Sequence, residues 1–167
     1  MLHSIVVGPM HPRWFRLLVN LYPPYVGAGV HVDEIAPDWR YLRVRMPLRW
    51  YNRNYVGTHF GGSLYAMVDP FFMIMVMKNL GREYLVWDRS AEIEFVAPGR
   101  GTVSAEFRLD DADLADMRTA TKDGAKHLCW LETDIRARDG SVVAHVRKQL
   151  YVRRKRAESP VAKPDLS

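Results

Sequence analysis

One cysteine, Cys129, stands in the whole chain of 167 residues. An internal disulfide framework is therefore excluded, and the count fits a reducing cytoplasm. Long apolar runs are missing too: the richest segment, Pro70 to Met77, is only about half of the ~18 residues a membrane span needs. The opening MLHSIVVGPMHPRW holds too short an apolar run for a signal peptide, and prolines follow closely. Histidine is present without pattern. His3, His11, His31, His127 and His145 show no metal-ligand spacing, and with a single thiol no metal site is expected. No internal repeat and no shift of composition marks a domain boundary. The expectation is one domain over residues 1–156, with an N-terminal helix at about 11–22, followed by a polar tail over 157–167.

What is there is the composition of a soluble globular protein, 48% apolar and 26% charged. The net charge of +5 favours an anionic partner: nucleic acid, a membrane surface or a phosphate-bearing ligand. Arg147, Lys148, Arg153, Arg154, Lys155 and Arg156 form a basic run. It reads as a solvated strand end and tail, or as a contact for ligand phosphates shared with Arg100. Nucleic acid is not expected, because neither aromatic-basic interleaving nor a groove-reading helix accompanies the run.

Trp14, Leu17, Leu18 and Leu21 recur at helical spacing, and Pro23-Pro24 is expected to stop that helix. Its apolar stripe suits a helix packed on the domain edge, or a lid or membrane-touching element. Gly27-Ala28-Gly29 is expected to open a strand through Val30 and Val32. After a Pro37-Asp38 turn, Leu42, Val44, Met46 and Leu48 alternate with Tyr41, Arg43 and Arg45. Four later strands follow the same period-two logic, around Ala91–Ala97, Val103–Leu109, Cys129–Ile135 and Val142–Tyr151, with Asp139-Gly140 as a hairpin signal. Asp110 to Thr121 reads as a short helix that begins on aspartates. Cys129 and the Met-rich run Met73 to Met77 read as core packing.

Between the second and third strands lies the stretch the rest surrounds, NRNYVGTHFGGSLYAMVDPFFMIMVMKNL, Asn52 to Leu80. A polar, Gly-rich turn runs into a helix apolar on nearly all sides, and Asp69 interrupts it. A buried carboxylate is costly unless paired or used. Strands segregated from such a helix imply an α+β fold with the antiparallel sheet wrapped around it.

A helix N-terminus offers unpaired N–H groups, and glycine lets a ligand approach them. Gly61 and Gly62 are therefore candidates to polarise a carbonyl and hold an oxyanion. Asp69, seven residues past Gly62, shares its helix face and is a candidate general base. The competing local reading is that Asp69-Pro70 caps a helix starting there. Seven residues at ~1.5 Å rise separate the two groups by roughly 10 Å, too far for one reacting centre. Two antiparallel copies across a two-fold axis bring Asp69 of one beside Gly61 of the other, so an isologous dimer is expected.

Asn54-Tyr-Val-Gly57-Thr58-His59-Phe60-Gly61-Gly62-Ser-Leu-Tyr-Ala-Met-Val-Asp69 resembles the hotdog-fold thioesterases of the phenylacetate-pathway and thioesterase-superfamily-member-2 type. The segments RWYNRNYVGTHFGGSLYAMVDPFF, WDRSAEIEF, APGRG and LYVRRK look closer still to a hotdog family described as tetrameric acyl-CoA thioesterase-like. The resemblance covers roughly residues 12 to 155. It implies hydrolysis of an acyl-CoA or acyl-carrier-protein thioester, with coenzyme A entering only as part of the substrate, in a homodimer or homotetramer; the alternatives are a hydratase or dehydratase on the same fold and a non-enzymatic acyl-CoA-binding protein. By it, Gly61 binds the thioester carbonyl with help from Asn54, Asp69 of the neighbouring copy activates water, and Asp88 helps place that water. Gly62, His59, Phe60 and Arg100 lie on the substrate side. The His of the family's His-Gly-Gly is Phe60 here, with His59 one place earlier, and the two carboxylates Asp69 and Asp88 should disfavour each other's charge.

Overall fold

The computed structural model describes residues 10–155; the tail expected over 157–167 and Arg156 of the basic run lie outside them, as does His3. Six strands form one antiparallel sheet: β1 (His31–Ile35), β2 (Tyr41–Pro47), β3 (Tyr84–Phe95), β4 (Thr102–Arg108), β5 (Lys126–Ala137) and β6 (Val142–Arg154). Their order across the sheet is β1-β2-β4-β5-β6-β3. The period-two pattern predicted this sheet because strands such as β2 bury one face only; β3 departs from it, with Ala91 and Phe95 exposed. In β2, Leu42, Val44 and Met46 are buried while Arg43 and Arg45 are exposed.

Among the described residues, five helices accompany the sheet: α1 (Pro12–Asn20), α2 (Pro23–Ala28), α3 (Gly61–Ala66), α4 (Phe71–Leu80) and α5 (Asp111–Ala120). The α4 helix buries seven of its ten residues. Phe71 and Phe72 both meet the Phe107 ring of β4, at centroid distances of 5.2 and 5.0 Å. Met75 and Met77 are buried beside them, as the Met-rich run suggested. The α5 helix starts on a capping box, with Asp110 accepting from the Asp113 N–H and Asp113 accepting from the Asp110 N–H. The sheet curled on the α3–α4 segment is the hotdog arrangement, an α+β fold. Among the described residues, no helix is long and apolar enough to cross a membrane.

Two expectations need correction. The α1 helix does end before Pro23-Pro24, and the two prolines then begin a further helix, α2, since proline lacks only an N–H that the first turn leaves unpaired anyway. Gly27 and Ala28 accordingly belong to the α2 end rather than to a strand, and Gly29 closes that helix at φ 76°. The helical segment 61–80 is not continuous: residues 67–70 are turn and bend between α3 and α4. Pro70 removes an N–H that an unbroken helix would donate to Ala66, and it disfavours helical geometry at the residue before it.

The α1 helix also packs the other way round. Phe15 and Val19 turn inward, Phe15 edge-on to the Trp39 ring at 5.1 Å. The stripe Trp14, Leu17, Leu18 and Leu21 points to solvent. Asn20 donates to the Val32 carbonyl at 3.0 Å and accepts from the Val32 N–H at 2.7 Å. A polar side chain thereby closes the exposed edge of β1, a place where an unpaired strand invites aggregation.

The Phe107 contacts generate a stability prediction. Phe107→Ala removes the ring on which Phe71 and Phe72 converge and should cost about 3–5 kcal/mol. Chemical denaturation reads it; a loss below about 1 kcal/mol would mean that α4 is not held this way.

Candidate functional site

The polar loop before α3 is tied down by two asparagines. Asn52, buried, accepts from the Arg49 N–H at 2.7 Å and donates to the carbonyls of Ala28 and Pro47, both at 3.0 Å. It locks the loop base to the α2 end and the β2 end. A Cβ at Gly29 would come within 2.7 Å of that Asn52 amide, so the glycine there serves a close approach as well as a positive φ. Asn54 orders the loop tip: its Oδ1 accepts from the N–H groups of Val56 and Thr58. Its Nδ2 donates to Thr58 Oγ1 at 2.8 Å and to the His59 carbonyl at 3.2 Å. Both amide hydrogens are engaged, so in this conformation Asn54 positions the loop and has no hydrogen left for a carbonyl ligand.

His59 is buried, and its Nε2 donates to the Gly101 carbonyl at 3.0 Å, while Nδ1 has no partner among the described residues. Burial lowers its pKa, with the Gly101 contact acting in the opposite direction. The ring is thus a neutral clamp between the loop and the turn after β3. Phe60 precedes the helix, exposed, with its ring over Gly62, where a Cβ would meet it at 2.4 Å.

Gly61 and Gly62 are the first two residues of α3, whose start has no side-chain cap. Their N–H groups occupy the positions a helix leaves without internal partners. Gly61, Asn54, His59 and Arg100 line a cleft of about 490 Å³, with Leu64, Phe95, Val96 and Pro98 as apolar wall. Arg100 is exposed at this cleft and has no ion-pair partner among the described residues.

Asp69 and Asp88 are not in the walls of that cleft. They meet elsewhere, on Lys148. This lysine of β6 is only 1% exposed. Its Nζ donates to Asp69 Oδ1 at 2.8 Å and to Tyr65 Oη at 3.1 Å, and lies 3.3 Å from Asp88 Oδ1. The Asp88 contact is an ion pair without hydrogen-bond geometry, which leaves that buried oxygen without a donor. Asp69 is neither cap nor mid-helix residue: it sits in the break before Pro70, its side chain 46% exposed. The break frees a carboxylate to reach sideways to the sheet. On β3, a register shift between Asp88 and Ser90 keeps Asp88 and Ala91 on one face, three residues apart, as a bulge does.

The electrostatics follow from this geometry. Burial pushes the Asp88 carboxyl above its usual range, Lys148 opposes that, and Asp69 reinforces it. Burial works against the Lys148 charge, but the hydrogen bonds with Asp69 and Tyr65 and the two carboxylate charges outweigh it, and its pKa is raised. One buried cation between two carboxylates offsets part of the repulsion expected from sequence, and Asp88 stays above its usual range. Tyr25, reaching in from α2, has a buried hydroxyl without a partner among the described residues. Burial first, then the charges of Asp69, Tyr22 and Asp88, hold it protonated.

Sequence reasoning missed Lys148, Tyr65, Tyr25 and Asn52. The basic run is not one patch: Arg147 points outward to Glu92 and Glu132, Arg153 donates to the Gly124 carbonyl, and Arg154 pairs with Glu83. Lys148 goes the other way. Period two was the available signal, since it places Lys148 between Val146 and Leu150 on the inward face. Cys129 is half-buried beside the core, its thiol pushed up to about 11 by burial, which suits packing rather than reactivity.

A model of the family described as "Domain of unknown function (DUF4442)" matches residues 12–152. Among curated proteins, none matches this sequence. Among solved structures, a Pseudomonas aeruginosa protein of unknown function described as a "probable thioesterase" superposes with TM-score 0.78 at 21% identity, covering 89% of this chain and 99% of that one. A thioesterase from Haemophilus influenzae gives 0.64 at 14%, covering 87% and 92%. A hypothetical thioesterase from Streptococcus pneumoniae, solved with coenzyme A, gives 0.54 at 14%, covering 77% and 88%. At these identities the likeness establishes the shared fold.

The raised Asp88 pKa makes a pH prediction. Asp88 binds its proton more tightly in the folded chain than in the unfolded one. Stability is therefore lost as pH rises from the unfolded carboxylate range through the raised folded value. Asp88→Asn removes that dependence. The variant's unfolding free energy minus that of the wild type should climb with pH through this window and level off above it. A flat difference would contradict a desolvated carboxyl.

Proposed function

The chain belongs to the DUF4442 family, and from that footing we propose that it hydrolyses the thioester of an acyl-CoA or acyl-carrier protein. The observation that carries the reading is Asp69, a carboxylate held at a break in the apolar α3–α4 segment by the buried Lys148. A structural ion pair alone needs no such break, no half-exposed carboxylate and no uncapped glycines at the head of the same segment.

In this reaction, the Gly61 and Gly62 N–H groups polarise the thioester carbonyl, and Asp69 takes a proton from water as its oxygen attacks the carbonyl carbon. The tetrahedral oxyanion collapses, the carbon–sulfur bond breaks, and the proton on Asp69 passes to the departing thiolate. Lys148, Tyr65 and Asp88 position Asp69 without touching substrate. Asn54 and His59 shape the loop that holds Gly61, and Phe60 and Gly62 form its rim. Arg100 at the cleft suits a phosphate of coenzyme A, and the apolar wall suits its pantetheine arm. No cofactor beyond the substrate is invoked, and the single cysteine suits a cytoplasmic enzyme.

Gly61 faces a cleft that Asp69 of the same chain does not line, which supports a site completed by a second copy. The β3 strand offers the place to pair. It is the sheet edge opposite β1, and among the described residues no strand lies on its outer side. A homodimer, further paired into a homotetramer, follows as the working assembly. The hydratase alternative calls for a histidine free to exchange protons, whereas the His59 ring is buried and clamped to Gly101.

Thiol release across a panel of acyl-CoA esters tests the activity. Asp69→Asn should lower kcat by at least about a hundredfold, and equal rates would eliminate the role given to Asp69. Tight acyl-CoA binding by the wild type without turnover would leave an acyl-binding protein instead. Sedimentation should find a dimer or tetramer, and an active monomer would refute the shared site.

A further inference from the structure

The apolar stripe of α1 is built facing outward. Trp14, Leu17, Leu18 and Leu21 are 65, 51, 54 and 66% exposed, and Tyr22 and Val26 of the α1–α2 corner continue the patch. This is not a loosely attached helix, because the opposite face is anchored through polar groups. Arg16 donates to the Asp33 carbonyl at 2.7 Å, and Asn20 makes its two bonds to Val32. An anchored helix that turns its leucines and tryptophan to water marks an interaction surface.

Charge selects the occupant. No carboxylate occurs before Asp33, while Arg13 and Arg16 fall within α1. The two arginines, His11, Trp14 and Leu17 surround one groove of about 540 Å³. Cationic groups beside Trp and Leu along a helix too short to span are the make-up of an interfacial helix, lying in the headgroup plane with apolar side chains dipping below it. An isologous second copy fits worse, since it sets the arginines of one α1 near those of the other with no carboxylate in either patch. We infer that the outward face of α1–α2 docks on an anionic lipid surface, with Arg13 at the headgroup phosphates and Trp14, Leu17, Leu18 and Leu21 in the acyl boundary. This surface is separate from the cleft at Gly61 and does not depend on the thioesterase reading.

Vesicle flotation of the full-length protein tests it, with phosphatidylcholine alone and with added phosphatidylglycerol. Wild type should float with the anionic vesicles, weakly with the neutral ones, and less as salt is raised. Leu17→Glu with Leu21→Glu should reduce flotation at least about tenfold with the thermal midpoint preserved, because both side chains are exposed. Arg13→Glu should abolish the preference for anionic vesicles. No flotation of wild type, or salt-independent flotation, would overturn the inference. So would undiminished flotation of the leucine variant, or a change in its oligomeric state by light scattering, which would hand the face to a second copy.

Discussion

A cation buried in an apolar interior has to be met by charge and hydrogen bonds, and Lys148 is such a cation. Its partners come from separate parts of the chain: Asp69 from the helix break, Tyr65 from α3, Asp88 from the β3 edge strand. A shift of any one of them takes a hydrogen bond or an opposite charge from a lysine that is only 1% exposed and has no solvent to replace it. The ion pair therefore joins the sheet to the segment it wraps, at the carboxylate that interrupts it. The break before Pro70 and the shift in β3 register are the two local distortions that let both carboxylates arrive.

The polar groups divide between two ends of the α3 region. At its head, uncapped glycine N–H groups open on a cleft with an apolar wall and one arginine that has no ion-pair partner among the described residues. At its tail, a half-exposed carboxylate is held rigidly. A donor pair without a base at one end, and a base without donors at the other, make sense together when two copies exchange ends. Rigidity on both sides, from Asn52 and Asn54 at the loop and Lys148 at the break, suits chemistry that depends on placed groups.

Residues that looked interchangeable in the sequence have opposite fates. Arg147 and Lys148 are adjacent in a basic run, yet one lies in an exposed ladder with Glu92 and Glu132 and the other is sealed in the interior. The α1 leucines, expected to pack on the domain edge or to form a lid or membrane-touching element, face solvent, while Asn20 closes the β1 edge. Helical periodicity shows that a stripe exists but is silent on which way it turns. That direction depends on what the neighbouring strand lacks, here a hydrogen-bond partner for Val32.

Most strand positions, the α5 start on aspartates, the apolar α4 and the Gly61–Gly62 helix start were legible because each is a local consequence of spacing, side-chain size or backbone geometry. Asp69 was legible as an anomaly, one carboxylate in an apolar run. Its partner was not, although period two placed Lys148 on the inward face of β6, because a lone cation in a basic run gives no sign of whom it meets. The sequence by itself determined the fold class and the residues that interrupt its regularity. Only the tertiary structure decided that Asp69, Asp88 and Lys148 form one cluster apart from the Gly61 cleft. The reason is physical: backbone pattern is set by neighbours along the chain, whereas charge compensation is set by neighbours in space, here 79 residues away for Lys148 and Asp69.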